Sequence, residues 1–187
     1  MEEDLRLRII DAAISCFSLK GAKFTMDDVA AELSMSKKTL YKYFSGKEEL
    51  TLAAIDRGFG LVKESEAQIL AEKDADVAER LRRIIIVLPE RYRHMDWRRL
   101  YELKTVSPEG FARISHHLET GWEGTIGLLK EGMACGRFRQ VSIPVFKSMI
   151  QYAFEGFIGN TALMDAGISY EDALGEMIDI IMRGITL

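Results

Sequence analysis

The chain lacks most of what enzymes and membrane proteins are built on. Its 187 residues contain no H-E-x-x-H, C-x-x-C, G-x-S-x-G or phosphate-cradling glycine loop. His116 and His117 are adjacent, so on a helix they point about 100° apart and cannot clasp one metal as an i, i+4 pair can. His94 has no evident partner. No catalytic residue, metal or cofactor is expected. The longest purely apolar run, Ile84 to Leu88, is far below the roughly 18 residues a membrane helix needs. The N-terminal MEEDLRLR is acidic and then charged, unlike a signal peptide. A cytoplasmic location with no membrane partner follows as the expectation. Of the two cysteines, Cys16 and Cys135, each falls among helical apolar positions, so small core filler is expected and a disulfide is not. Only three prolines interrupt the chain.

What is present is ordinary for a folded protein: 48% hydrophobic and 29% charged residues. The formal net charge of −4 argues against a surface that coats nucleic acid everywhere. The charge is not evenly spread. Residues 34–47 carry Lys37, Lys38, Lys42 and Lys47 with no Asp or Glu. Phosphate attraction is screened beyond about 8–10 Å, so a local basic patch on an acidic body suits one docking face. Four lysines alone fit a merely solvated face equally well.

The apolar periodicity is helical almost throughout, and no segment alternates convincingly with period two. Leu5, Ile9, Ala12, Ala13, Cys16 and Phe17 share one face of a first helix, which stops near Lys20-Gly21 with glycine left-handed. Thr25 and Asp28 form a capping-box-like pair before Val29, Ala30 and Leu33. Ser36 is the next N-cap candidate, starting a helix from Lys37 to about Phe44, held by Leu40 and Phe44. Ser45-Gly46-Lys47-Glu48 repeats the S-x-x-E signature and opens a fourth helix to about Ala71. The polar run at 72–79 reads as a joint. Further helices are expected from Val77 to about Leu88, from Asp96 through Val106, from Pro108 to about Gly136, from Pro144 to about Asp165, and from Ser169 to the end. The fold class is all-α, about nine helices: a three-helix helix-turn-helix DNA-binding domain at 1–50 and a larger helical effector-binding and dimerisation domain at 51–187.

Two short helices joined by a three-residue turn, the second rich in lysine, hydroxyl and phenol groups, suit a helix-turn-helix. Ala12-Ala13, Phe17, Gly21, Thr25, Val29-Ala30, Leu33, Ser36, Thr39-Leu40-Tyr41, Tyr43-Phe44, Lys47-Glu48 and Leu50 resemble the N-terminal signature of the TetR family of transcriptional regulators. The resemblance covers about the first 50 residues; beyond them only the helical layout is similar. It implies a homodimer that binds a palindromic double-stranded DNA operator, most often as a repressor, and a C-terminal domain that takes a small molecule. It also places Lys37, Lys38 and Lys42 among base-reading positions, and Thr25, Thr39, Tyr41, Tyr43 and Lys47 among phosphate contacts. The residues agree: lysines donate to guanine O6 and N7, Ser36 and Thr39 offer hydroxyls, and phenols donate to phosphate. Tyr41 and Tyr43 could instead be packing residues. Two departures stand out. Ser34 occupies a turn position where the family commonly has glycine, and Lys38 stands where a small residue is usual.

The last two expected helices are the candidates for a dimer interface, through Ala153, Gly156 and Gly159 on one and Leu174, Met177, Ile178, Ile181, Met182 and Ile185 on the other. For an apolar effector, the bulky or polar-tipped residues of the middle helices are candidates: Tyr92, Trp97, Tyr101, Phe111, His117, Trp122 and Phe154. Gly121, Gly124 and Gly127 suggest a bend or close packing there. A DNA-bound structural or cell-division factor of the same fold, without an effector, would share these features.

Overall fold

A computed structural model describes residues 2–89, 98–158 and 160–187. Tyr92, Trp97 and Gly159 lie outside the described residues, as do His94 and the Asp96 cap. The fold is all-α. The described residues form α1 (Glu2–Lys20), a short 3-10 turn (Gly21–Lys23), α2 (Met26–Glu32), α3 (Lys37–Leu40), α4 (Lys47–Ala71), α5 (Val77–Ile85), α6 (Arg98–Val106), α7 (Pro108–Glu119), α8 (Glu123–Ala134), α9 (Ile143–Ile158), α10 (Thr161–Asp165) and α11 (Tyr170–Ile185). Among them no helix is long and apolar enough to cross a membrane.

Among the described residues eleven α-helices stand where about nine are expected, because two long apolar stretches break. The stretch from Pro108 divides at Gly121, whose φ of +73° is left-handed and favours glycine. Side chains take up the carbonyls that the end of α7 leaves open. Trp122 Nε1 donates to Leu118 O at 2.8 Å, Lys147 Nζ to Glu119 O at 2.8 Å, and Lys63 Nζ to Gly121 O at 2.6 Å. The stretch from Ile143 divides at Asn160, whose side chain accepts the N–H groups of Ala162 and Leu163 and so caps α10.

The chain divides into two compact units, Met1–Gly60 with Met95–His116, and Leu61–His94 with His117–Leu187. In the first, Ile9, Ala13, Val29, Leu40, Phe44 and Leu50 form a buried centre under α1 to α4. Ser107 Oγ donates to Glu48 at 2.6 Å and Arg113 pairs with Asp56 at 2.9 Å, which ties α7 and its entry to α4. In the second unit Leu81, Ile84, Leu128, Leu129, Phe138, Ile150 and Ile178 belong to one apolar core. Arg80, buried on α5, donates to the carbonyls of Ile69 and Leu70 at the end of α4 and reaches Glu131 on α8. Cys16 is buried as expected, but Cys135 is exposed, because it follows the end of α8 where the chain turns outward at Gly136.

Candidate nucleic-acid interface

The helix-turn-helix is set by local capping. Thr25 accepts the Asp28 N–H at 3.2 Å, and the Thr25 N–H donates to the Asp28 carboxylate at 2.8 Å, a complete capping box. Lys20 adds a 2.6 Å ion pair to the same carboxylate. This Lys20 bond, then the two from Thr25, holds the Asp28 carboxyl down at about 2. A carboxylate with a depressed folded pKa contributes stability that is full above its unfolded value of 3.8 and is lost as pH falls through the folded value. The thermal midpoint should therefore drop between about pH 4 and pH 2, and Asp28→Asn should flatten that part of a melting-point profile against pH.

At the turn, Ser34 has φ of +51°, the only non-glycine residue with positive φ among the described residues. Its N–H donates to Ala31 O and the following Met35 N–H to Ala30 O, so the left-handed step closes α2. The serine side chain is strained there by about 1–2 kcal/mol. Ser34→Gly is expected to raise stability by up to about 1 kcal/mol, after the entropy cost of glycine, in a denaturant titration.

Ser36 then caps α3, accepting the Thr39 N–H at 3.1 Å. The α-helical part is shorter than the expected Lys37–Phe44. From Tyr41 on, Lys42 and Tyr43 bond back three residues, tightening the chain into turns before buried Phe44. Lys38, Tyr41 and Lys42 project outward: both lysines are exposed, and Tyr41 is 50% exposed. Tyr43 and Thr39 are half-buried, and the Thr39 and Ser36 hydroxyls lie 2.9 Å apart. Lys37 is exposed and ion-paired with Asp27 at 2.5 Å. Leu40 is fully buried.

The expected S-x-x-E cap of α4 is made differently. Ser45 N–H and hydroxyl both donate to Glu49, at 2.7 and 2.8 Å, while Glu48 accepts from Ser107. Lys47 also departs from expectation. Its ammonium points inward, donating to Ala22 O at 2.5 Å and lying 4.7 Å from the Phe24 ring centroid. Sequence reading missed Glu102, which accepts the Ala22 N–H at 2.9 Å, and Arg99, which donates to Ser18 O at 2.7 Å. Their i, i+3 spacing marks one helix face; their partners about 80 residues away leave no signal.

The effector candidates fall into two aromatic pairs. Tyr101 and Phe111 meet edge to face in the first unit, centroids 6.3 Å apart, with Lys104 over both rings. Trp122 and Phe154 stack in the second at 6.4 Å, with Lys147 over the indole. His117 is half-buried. Of the dimer candidates, Leu174, Ile178, Met182 and Ile185 are buried and Met177 and Ile181 partly so. Ile178, Met182 and Ile185 belong to their own unit's core, with Met177 and Ile181 packed against it. What α9 and α11 leave outside is Val145, Met149, Tyr152 and Ile180, each more than half exposed, with Gly156 exposed and Ala153 half-buried beside them.

Comparison with known proteins agrees with this arrangement. Residues 9–54 match the model of the bacterial regulatory proteins, tetR family. Over 96% of its length the chain is 27% identical to the uncharacterised HTH-type transcriptional regulator YvaF of Bacillus subtilis (strain 168), covering 94% of that protein. Its fold is similar to the regulator FadR of Bacillus subtilis, solved in complex with stearoyl-CoA, with a TM-score of 0.70 at 19% identity over 96% of this chain and 98% of that one. A regulator from Saccharomonospora viridis, solved with choline, gives a TM-score of 0.73 at 19% identity over 99% of both chains. The capped helix-turn-helix and the match at residues 9–54 identify a tetR-family regulatory region at the N-terminus, and the similarity to YvaF, itself an HTH-type transcriptional regulator, runs through nearly the whole chain.

Proposed function

We propose that the protein is a homodimeric repressor that grips a palindromic operator with residues 1–50 and releases it when a mostly apolar small molecule occupies the domain at 51–187. The observation that carries this reading is Lys38, Tyr41 and Lys42, exposed at i, i+3, i+4 in a segment that is otherwise capped and packed. Such spacing puts three donors on one face, as entry into a major groove requires. Lys38 and Lys42 read base edges, and Tyr41 and Tyr43 donate to phosphate. Lys37 joins them by leaving Asp27, an exposed pair that holds it by only about 0–1 kcal/mol. Thr25, Ser36 and Thr39 sit at the edge of the contact, their hydroxyls already holding the caps in place.

One recognition element covers few base pairs, so a second copy on a two-fold axis supplies the other half-site. Val145, Met149, Tyr152 and Gly156 repeat at i, i+4, i+7 and i+11 along α9, a face that suits burial against a second copy. The stacked Trp122 and Phe154 support an apolar effector, and the stearoyl-CoA and choline bound by the two similar folds make these the first compounds to try. Anisotropy titration onto duplexes selected from a random library tests the reading. Two protomers per duplex are expected, with weaker binding when stearoyl-CoA or another apolar ligand is added. Met149→Glu with Tyr152→Glu should give a monomer by light scattering; an unchanged dimer would move the interface elsewhere.

A further inference from the structure

We propose that Lys47 and Glu102 are positioning residues for DNA binding, which hold the Ala22 peptide from its two sides and so fix the start of α4 behind the recognition segment. Lys47 then does not contact phosphate. The proposal rests on the reading that α3 and the turn after it meet DNA.

The Ala22 peptide is the centre of the arrangement. Ala22 is 1% exposed, and its position in a three-residue 3-10 turn leaves its N–H and carbonyl in need of partners. Both partners are charged: Glu102 takes the N–H at 2.9 Å and Lys47 donates to the carbonyl at 2.5 Å. Charge-assisted bonds of this kind are roughly twice as strong as neutral ones. Gly21 makes the approach possible. A Cβ there would lie 2.6 Å from Glu102 Oε2, and its φ of +63° suits glycine in any case.

Lys47 is fixed further by the buried Phe24 ring beneath its ammonium. Desolvation there pushes its pKa down, unlike a lysine that waits in solvent for phosphate. Turning the side chain outward would orphan the Ala22 carbonyl. Lys47 is also the first residue of α4, three residues after buried Phe44. Its inward bond therefore fixes where the segment carrying Lys42 and Tyr43 ends. Glu102 brings α6 into the same clasp, and Arg99 adds a second tether at Ser18 O.

Electrostatics alone gives the opposite sign for Glu102 and a different salt slope for Lys47, which makes the test sharp. The full chain is titrated onto duplexes it selects from a random library, over a potassium chloride series, with a melting curve for each variant. Lys47→Met should weaken binding about tenfold while the slope of log K against log salt stays that of the unaltered chain. A lost phosphate contact would instead reduce the slope by about 1. Glu102→Ala removes the acceptor of the Ala22 N–H together with a negative charge, whose loss by itself would tighten binding to a polyanion; weaker binding is expected, and the double variant should be no weaker than the weaker single one. Lys47→Arg keeps the charge, which suits phosphate, but replaces the compact ammonium at the Ala22 carbonyl with a broader planar guanidinium, so it too should bind weakly. It keeps the test open should Lys47→Met fail to fold. A reduced slope for Lys47→Met, full affinity for Lys47→Arg, or unchanged or tighter binding by Glu102→Ala would overturn the positioning role. If the unaltered chain selects no duplex, the DNA reading beneath it falls first.

Discussion

Replacing Phe138 with alanine is expected to lower the unfolding free energy by about 3–5 kcal/mol, the range for truncating a buried aromatic. The ring is 1% exposed in the core of the second unit and cannot relax easily, because its backbone is pinned twice. Phe138 N–H donates to Gly132 O at 3.0 Å, and Phe138 forms an isolated antiparallel bridge with Thr186. The ring lies directly on the α-carbon of Gly132, in the middle of α8, where any Cβ would overlap it. A reciprocal effect follows. Gly132→Ala gains about 1 kcal/mol of helix propensity but forces the ring aside, at about 1–3 kcal/mol or more. With the ring pinned, the clash outweighs the propensity and the single variant is destabilised. In a Phe138→Ala background the space is open, so the same Gly132→Ala change should stabilise. Denaturant titration of the four proteins measures both effects; an equal cost for Gly132→Ala in the two backgrounds would show that Phe138 is not what excludes the side chain.

The second large effect is on DNA. Lys38→Ala and Lys42→Ala should each cost about 1–3 kcal/mol of operator affinity and relax the sequence preference at one position. Both side chains are exposed, and no ion pair among the described residues engages either. Tyr41→Phe should weaken all sequences about equally with an unchanged salt slope, since a phenol carries no charge to release a counterion. Lys37 behaves differently because Asp27 competes for it at 2.5 Å. Lys37→Ala should cost less than Lys38→Ala. Asp27→Asn should strengthen binding, by freeing Lys37 and removing a carboxylate beside the phosphates. Binding to selected and scrambled duplexes at two salt concentrations separates these cases.

Much of this is legible in the sequence wherever the determinant is local. The Thr25–Asp28 box, the Ser36 and Ser169 caps and the left-handed Gly21 are short-range patterns, and each is formed. The positive φ of Ser34 was foreshadowed by the glycine usual at that position. Helix breaks were harder. Apolar periodicity runs on across Gly121 and Asn160, and what ends the helices there is capping by Lys63, Lys147 and Trp122 or by a single asparagine. Periodicity does not say which copy of the chain buries the α11 stripe; Ile178, Met182 and Ile185 are taken up in their own unit's core. Sequence also gives the charge of Lys47 but not its direction, which depends on the carbonyl of Ala22, 25 residues earlier.

The central claim is that one face, carried by Lys38, Tyr41 and Lys42, recognises operator DNA. Selection of duplexes from a random library by the full-length protein, followed by sequencing, tests it most directly. The expected result is enrichment of an inverted repeat whose half-sites are spaced for two recognition segments, about one helical turn or a multiple apart. The triple variant Lys38→Ala, Lys42→Ala, Tyr41→Phe, shown to be folded by its melting curve, should lose that enrichment. No enriched sequence from the unaltered chain, or the same inverted repeat from the triple variant, would contradict it.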